Sequence, residues 1–165
     1  MELTFQEIRW PAEAERTAEF LSANAWPFHG VPQLSSSAAA SIRVAGEDVR
    51  TFWIRNGDST IGIIRLLDLD DVVDGSPLFD LRIAERWRGQ GVGRSAVRWL
   101  TSYLFSTYPE LHRIEATTRH DSVAMQAVFD HCSYRLEGRM VEAWTNADGT
   151  RSDTLSYAIL RREHE

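Results

Sequence analysis

The chain has 165 residues, 43% of them hydrophobic and 25% charged, with a formal net charge of −6, enough for one compact domain with its own core. No apolar run approaches the roughly 20 residues of a membrane span, and the acidic balance argues against nonspecific nucleic-acid binding, which needs a basic surface. All 18 basic residues are arginine, which excludes lysine Schiff-base chemistry and the Gly-Lys pair of a P-loop. Cys132 is the single cysteine, so no internal disulfide or cysteine zinc site can form. That fits a reducing cytoplasm, and no metal is expected. Residues 1–10 lack the basic-then-apolar layout of a signal peptide.

In chain order, residues 2–9 alternate and predict a first strand, with Leu3, Phe5 and Ile8 as its apolar positions. Pro11 suits a first helical position, and residues 12–22 predict a helix with Ala18, Phe20 and Leu21 to one side. The aromatic loop Trp26-Pro27-Phe28-His29-Gly30 breaks it, and the Ala-rich 35–44 predicts a second helix. Residues 49–55 alternate, Asn56-Gly57 is a hairpin signal, and 59–69 is the partner strand. An acidic loop with Asp68, Asp70, Asp71 and Asp74 follows. Residues 78–83 predict a strand, 94–108 a helix and 113–118 a strand. Asp121-Ser122 is a capping signal for a helix to about His131. Two strands, 134–144 and 154–160, meet around Asp148-Gly149. The order β-α-α-β-β-β-α-β-α-β-β predicts one α/β or α+β domain over 1–165.

Between the strand at 78–83 and the helix lies Arg88-Gly89-Gln90-Gly91-Val92-Gly93. Alternating glycines at a helix start expose backbone N–H groups, which bind phosphate oxygens well. A dinucleotide fingerprint competes for the same residues, because Gly91-x-Gly93-x-x-Ala96 has Glu115 about 20 positions on. Three features weaken it. The charged spacer Glu85-Arg86-Trp87-Arg88 separates strand from glycines, too little chain follows for a six-stranded parallel sheet, and the motif sits mid-chain behind a hairpin. A glycine turn that merely starts a helix is the remaining alternative.

The same six residues resemble the Arg/Gln-x-x-Gly-x-Gly motif of the GNAT acyltransferases, which use acetyl-coenzyme A, and the element order matches over nearly the whole chain. The segment from Thr118 to Tyr134 is similar to that superfamily's strand-loop-helix. The ending, with Asp148-Gly149-Thr150-Arg151-Ser152-Asp153 and Tyr157-x-x-Leu160, resembles the branch of ribosomal-protein N-terminal acetyltransferases. The resemblance implies a mixed central sheet with splayed fourth and fifth strands. It implies that Arg88, Gly89, Gln90, Gly91, Val92, Gly93 and Arg94 hold the coenzyme pyrophosphate, and that the main chain of Leu81 and Ile83 pairs with the pantetheine arm. It also implies an amine acceptor (a peptide N-terminus, a polyamine or a small amine) and a homodimer. The chain departs from the pattern at three places. Ser122 stands where an asparagine often contacts pantetheine, Phe129 replaces a tyrosine that often protonates the leaving thiolate, and Ser133-Tyr134 replaces Gly-Phe. A phenyl ring has no proton to donate, so a non-catalytic coenzyme A-binding module is the alternative to an enzyme.

Attack of an amine on a thioester needs a proton acceptor, an oxyanion donor, met by a backbone N–H near Ile83, and at most weak help for the thiolate. Asp80 and Glu115 lie on the two strands expected to splay and are the candidate bases. Each has the alternative of a structural ion pair, with Arg82 or Arg113. Tyr134 is the candidate acid in place of residue 129. Trp26, Phe28 and His29 are candidates to line the acceptor pocket, or else form a loop anchored by aromatics. His120 reads as a solvated loop histidine, and Cys132 as a buried small hydrophobe rather than a nucleophile. The cluster Asp68 to Asp74 fails the EF-hand spacing. It is solvated surface or an attractor for a cationic acceptor.

Overall fold

The computed structural model describes residues 1–73 and 77–164. Seven strands and five helices follow the predicted order, with a short helix added at the end: β1 (Leu3–Glu7), α1 (Ala14–Ser22), α2 (Ser36–Ala40), β2 (Arg50–Asn56), β3 (Ser59–Leu67), β4 (Leu78–Ile83), α3 (Val92–Thr107), β5 (Arg113–Arg119), α4 (Val123–His131), β6 (Arg135–Thr145), β7 (Arg151–Leu160) and α5 (Arg161–His164). A 3-10 turn, Glu85–Trp87, fills the charged spacer before the glycines.

The strands form two sheets, β1-β2-β3-β4 and β5-β7-β6, antiparallel throughout. The expected splay lies between them: β4 and β5 are edges of separate sheets. The first sheet is covered on both faces. On one face, α3 lays a stripe of Val92, Ala96, Val97, Leu100 and Leu104 over Ile54, Ile64 and Leu66. That spacing of three and four is one face of a helix. On the other face, α1, α2 and their connecting loop pack Leu21, Trp26 and Leu34 on Trp53 and Ile63. Consequently β2 is buried continuously from Thr51 to Ile54 rather than half-buried, as its alternating pattern predicts. Alternate residues serve opposite cores.

Two local features tune the splay. An added Cβ at Gly62 of β3 would lie 2.7 Å from the Arg82 carbonyl oxygen and 2.9 Å from Ile54 Cδ1. Only glycine lets β3 and β4 approach so closely here. Ala84 donates its N–H to Ile61 O at 2.9 Å. Hydrogen-bonded pairs alternate along an antiparallel ladder, so the backbones of Asp80 and Arg82 bond into β3. Those of Phe79, Leu81 and Ile83 point to the open edge. Side chains obey the same alternation: Phe79, Leu81 and Ile83 pack on the α3 core, while Asp80 and Arg82 stand on the face covered by the α1–α2 loop.

Candidate active site

A cleft of about 800 Å³ opens at the splay, within the size range of small-molecule sites. One wall is the glycine turn with α3 and α4, and the opposite wall is the α1–α2 loop over β3 and β4.

The glycine-turn wall is built from backbone. Gly91 is the N-cap of α3 with φ +83°, and no side chain caps the helix. The first intrahelical bond there is Ser95 N–H to Gly91 O, so the amides of Val92, Gly93 and Arg94 have no helical partner. Gly89 also has positive φ, and open space lies where its Cβ would be. Gly93 is tight instead, because a Cβ there would meet Val128 Cγ2 at 3.2 Å. It brings α3 against α4. Arg94 is exposed, in the first turn of α3, with Nη2 about 4.0 Å from where a Gly91 Cβ would sit. Val92 is a core residue, and Gln90 turns away to donate to Arg86 O at 2.7 Å. Arg88 is committed to structure: Nε donates to Ile83 O at 2.8 Å and Nη2 to Ala25 O, which ties the α1–α2 loop to the end of β4. Ser122 is the N-cap of α4 but makes no side-chain cap bond. The expected Asp121 cap is also absent, because that carboxylate pairs with Arg119 at 2.6 Å. Phe129 is 1% exposed and packs on Tyr157, with ring centroids 4.7 Å apart.

The opposite wall is built from side chains. Asp80 stands in register with Arg65 of β3. Its Oδ1 lies 2.9 Å from His29 Nε2. Its Oδ2 accepts from Arg82 Nε at 3.0 Å and Arg65 Nη2 at 3.3 Å. Burial alone would raise the Asp80 pKa. The His29 hydrogen bond and the Arg82 and Arg65 charges outweigh it and hold the carboxyl far below the usual carboxylate range. An ionised carboxylate only accepts hydrogen bonds, so His29 presents Nε2–H to it. A neutral imidazole then keeps its lone pair on Nδ1, which is buried without a partner. Trp26, fully buried, anchors this loop: its indole N–H bonds Leu21 O at 2.8 Å, its ring meets His29 edge-on, and the guanidiniums of Arg82 and Arg88 lie 5.4 and 5.7 Å from it. Phe28 reaches across to β5, where Arg119 covers its ring at 5.1 Å.

Two residues expected in the site, Glu115 and Tyr134, stand elsewhere, while Cys132 and His120 are placed as expected. Glu115 points off the far side of β5, 39% exposed, against Arg113 Nε at 2.8 Å. It does not line the cleft. The Tyr134 hydroxyl is in the core, 2.9 Å from Thr101 Oγ1, and burial raises its pKa. A hydroxyl so placed has no route to a leaving thiolate. Cys132 is buried beside Arg94 O at 3.5 Å, and burial raises its pKa too, which suits a packing residue and not a nucleophile. His120 is exposed outside the cleft. Asp68, Asp70 and Asp71 are solvated, Asp74 lies outside the described residues, and no metal-type cluster occurs among the described residues.

The sequence reading missed Arg65 as a site residue and named Arg82 only as a partner for Asp80. Asp80 and Arg82, two apart on one strand, were a usable signal for a shared face. Arg65 needs the β3–β4 register.

The family model for the acetyltransferase (GNAT) domain matches residues 2–135. No curated protein matches the chain. Among solved structures, a probable acetyltransferase is 23% identical, with a TM-score of 0.80 and coverage of 98% of this chain and 94% of that one. A chimera of the spermidine N-acetyltransferase SpeG from Vibrio cholerae and hSSAT is 20% identical, with a TM-score of 0.83 and coverage of 99% and 98%. The Vibrio cholerae spermidine N-acetyltransferase in complex with CoA and spermine is 20% identical, with a TM-score of 0.79 and coverage of 98% and 97%. At these identities the likeness to solved structures is one of fold.

Proposed function

The chain belongs to the GNAT acetyltransferase family, and from that premise we propose that it is an N-acetyltransferase moving an acetyl group from acetyl-coenzyme A to a primary amine. The observation that carries the reading is the open α3 N-terminus facing a cleft between splayed strands. The residues present fit a coenzyme A pyrophosphate. The amides of Val92, Gly93 and Arg94, the open backbone at Gly89 and Gly91, and the exposed Arg94 guanidinium give an anion uncapped donors and a cation. The outward backbone of Leu81 suits amide pairing with the pantetheine arm. Ile83 contributes its N–H, since its carbonyl already accepts from Arg88. Ser122 and the Phe129 ring flank the arm's path. That one related structure is a complex with CoA is consistent with this.

On the other wall, His29 is the general base and Asp80 its positioning residue. The amine nitrogen attacks the thioester carbonyl carbon, a C–N bond forms, the C–S bond breaks, and sulfur leaves as thiolate. His29 Nδ1 takes the proton that the amine must lose. Asp80 holds the ring in the tautomer that leaves Nδ1 free, as the buried aspartate does in other His–Asp pairs. A thiolate is a weak base, so the lack of a tyrosine at 129 costs this route little. The exposed Leu136, Met140 and Val141 on the outer strand β6 supply a face for a homodimer. The reading is tested by mixing the protein with acetyl-coenzyme A and a panel of amines and measuring free thiol. Thiol release with at least one amine is expected. Tight binding of coenzyme A with no release from any amine makes the chain a coenzyme A-binding module.

A further inference from the structure

The acceptor wall of the cleft is cationic, although the chain as a whole is acidic. Among the described residues lining the cleft, Arg65, Arg82, Arg88 and Arg94 face a single carboxylate, Asp80. Arg94 stands at the glycine turn, where an anionic pyrophosphate accounts for it, and Arg88 is spent on the carbonyls of Ile83 and Ala25. Arg65 and Arg82 stand on the opposite wall, against the loop that carries His29. Asp80 neutralises one of these two guanidiniums, so one positive charge is left over on this wall of the cleft.

The hydrogen-bond inventory points the same way. The Arg82 side chain is 9% exposed, and it spends Nε on Asp80 while Nη1 is buried with no partner. Arg65 donates Nη1 to Arg43 O and Nη2 to Asp80, yet its Nε is also buried without a partner. Trp144, across the cleft, has an unpartnered buried indole N–H. Buried polar groups are nearly always satisfied, so each orphan needs an explanation. Among the described residues lining the cleft, one more orphan, His29 Nδ1, is the acceptor assigned to the amine proton, and these three together with Trp87 Nε1 are all donors. A ligand that satisfies them brings acceptor oxygens, and beside a surplus guanidinium it brings negative charge. A polyamine offers only further donors and further positive charge.

Resting on the acetyltransferase reading above, we propose that the acceptor is an amine that carries a carboxylate, seated on Arg82 and Arg65 with its nitrogen toward His29. The carboxylate takes the free Nη1 of Arg82 and the free Nε of Arg65, while Asp80 stays with His29. The product is the N-acetyl carboxylate together with free coenzyme A. The carboxylate comes either from a free amino acid or from an acidic first side chain of a peptide, and the two sources are separable by assay.

The test is thiol release from acetyl-coenzyme A with L-glutamate, L-leucine, the carboxylate-free amides of both (L-glutamine amide and L-leucine amide), two peptide amides that begin with Glu and with Lys, and spermidine. For the carboxylate-bearing amines kcat/KM is expected to exceed that for the matching amides and for spermidine at least tenfold. Activity on the free amino acids assigns the α-carboxylate. Activity confined to the Glu-led peptide assigns the side chain. Arg82→Gln and, as a second variant, Arg65→Gln are expected to shrink that preference at least tenfold through KM, with each variant's fold checked by its melting temperature. Equal or better turnover of spermidine or of the amides overturns the proposal, as does a preference unmoved in both folded variants. If no amine releases thiol, the enzyme reading fails by itself. Calorimetric titration of the protein–coenzyme A complex with N-acetyl-L-glutamate and with N-acetylspermidine then decides: binding of the first alone supports the carboxylate site, and any other result overturns it.

Discussion

The two walls of the cleft use different materials. The glycine-turn wall presents backbone amides supplied by six adjacent residues, with two glycines in left-handed conformation. The acceptor wall presents side chains from three places: His29 on the α1–α2 loop, Arg65 on β3, and Asp80 with Arg82 on β4. Backbone recognition suits a ligand part common to many enzymes, because any sequence that makes the turn makes the site. Side-chain recognition suits a part that differs between them, because charge and shape change one residue at a time. The walls should therefore fail differently under substitution. The glycine-turn wall should respond to conformation and charge at the turn. The other should respond to the loss of single functional groups.

The largest effect is expected at Gly91. Replacement by Asp should abolish measurable coenzyme A binding in calorimetry, a loss of at least ~100-fold, or about 3 kcal/mol. A carboxylate at the N-cap competes for the free amides of α3 and repels phosphate. The fold should survive with a modest fall in melting temperature, because Asp is among the side chains that tolerate the left-handed φ of +83°. A folded variant with unchanged affinity would place the pyrophosphate elsewhere.

Asp80→Asn comes next and addresses the other wall. The amide can no longer require Nε2–H on His29, and it leaves Arg82 and Arg65 without a counter-charge. An expected fall in kcat of roughly 100-fold, with coenzyme A affinity nearly kept, would separate positioning from donor binding. The melting transition should fall too, by an amount corresponding to about 3 kcal/mol for breaking a buried ion cluster. Because the folded Asp80 pKa lies below the unfolded value of about 3.9, its stabilisation is complete above that pH and is lost as pH falls below it. Melting temperatures from pH 6 down to 3 should drop more steeply for the native chain than for Asp80→Asn. The comparison removes the contribution of exposed pairs such as Glu137, held at about 2 by Arg113 and Arg135.

The contrast also explains what could be read before folding. The turn was legible because its function is local: strand, spacer, glycines and helix follow one another, and β4 spans the predicted residues. The element order was legible for the same reason, since hairpin and cap signals act over a few residues. The acceptor wall was not. His29 and Asp80 are 51 positions apart and meet only through the packing of the α1–α2 loop. Glu115 and Tyr134 looked equally suitable as carboxylate and phenol, and only strand alternation and core packing turn them away. Glu115→Gln should accordingly change kcat less than threefold, which steady-state rates can resolve.

The smallest effect is expected at Gln90, and it is the sharpest check on a backbone-built wall. Gln90 sits between the two left-handed glycines, the position where a side-chain ligand to phosphate would be sought first. Its amide instead donates to Arg86 O at 2.7 Å and points away from the cleft. Truncation to Ala removes that exposed bond, worth about 1 kcal/mol at most, and leaves the φ angles of Gly89 and Gly91 unconstrained by it. Coenzyme A affinity measured by calorimetry should stay within twofold. A tenfold loss would mean that the turn binds through its side chains, and the two walls would then differ in ligand but not in kind.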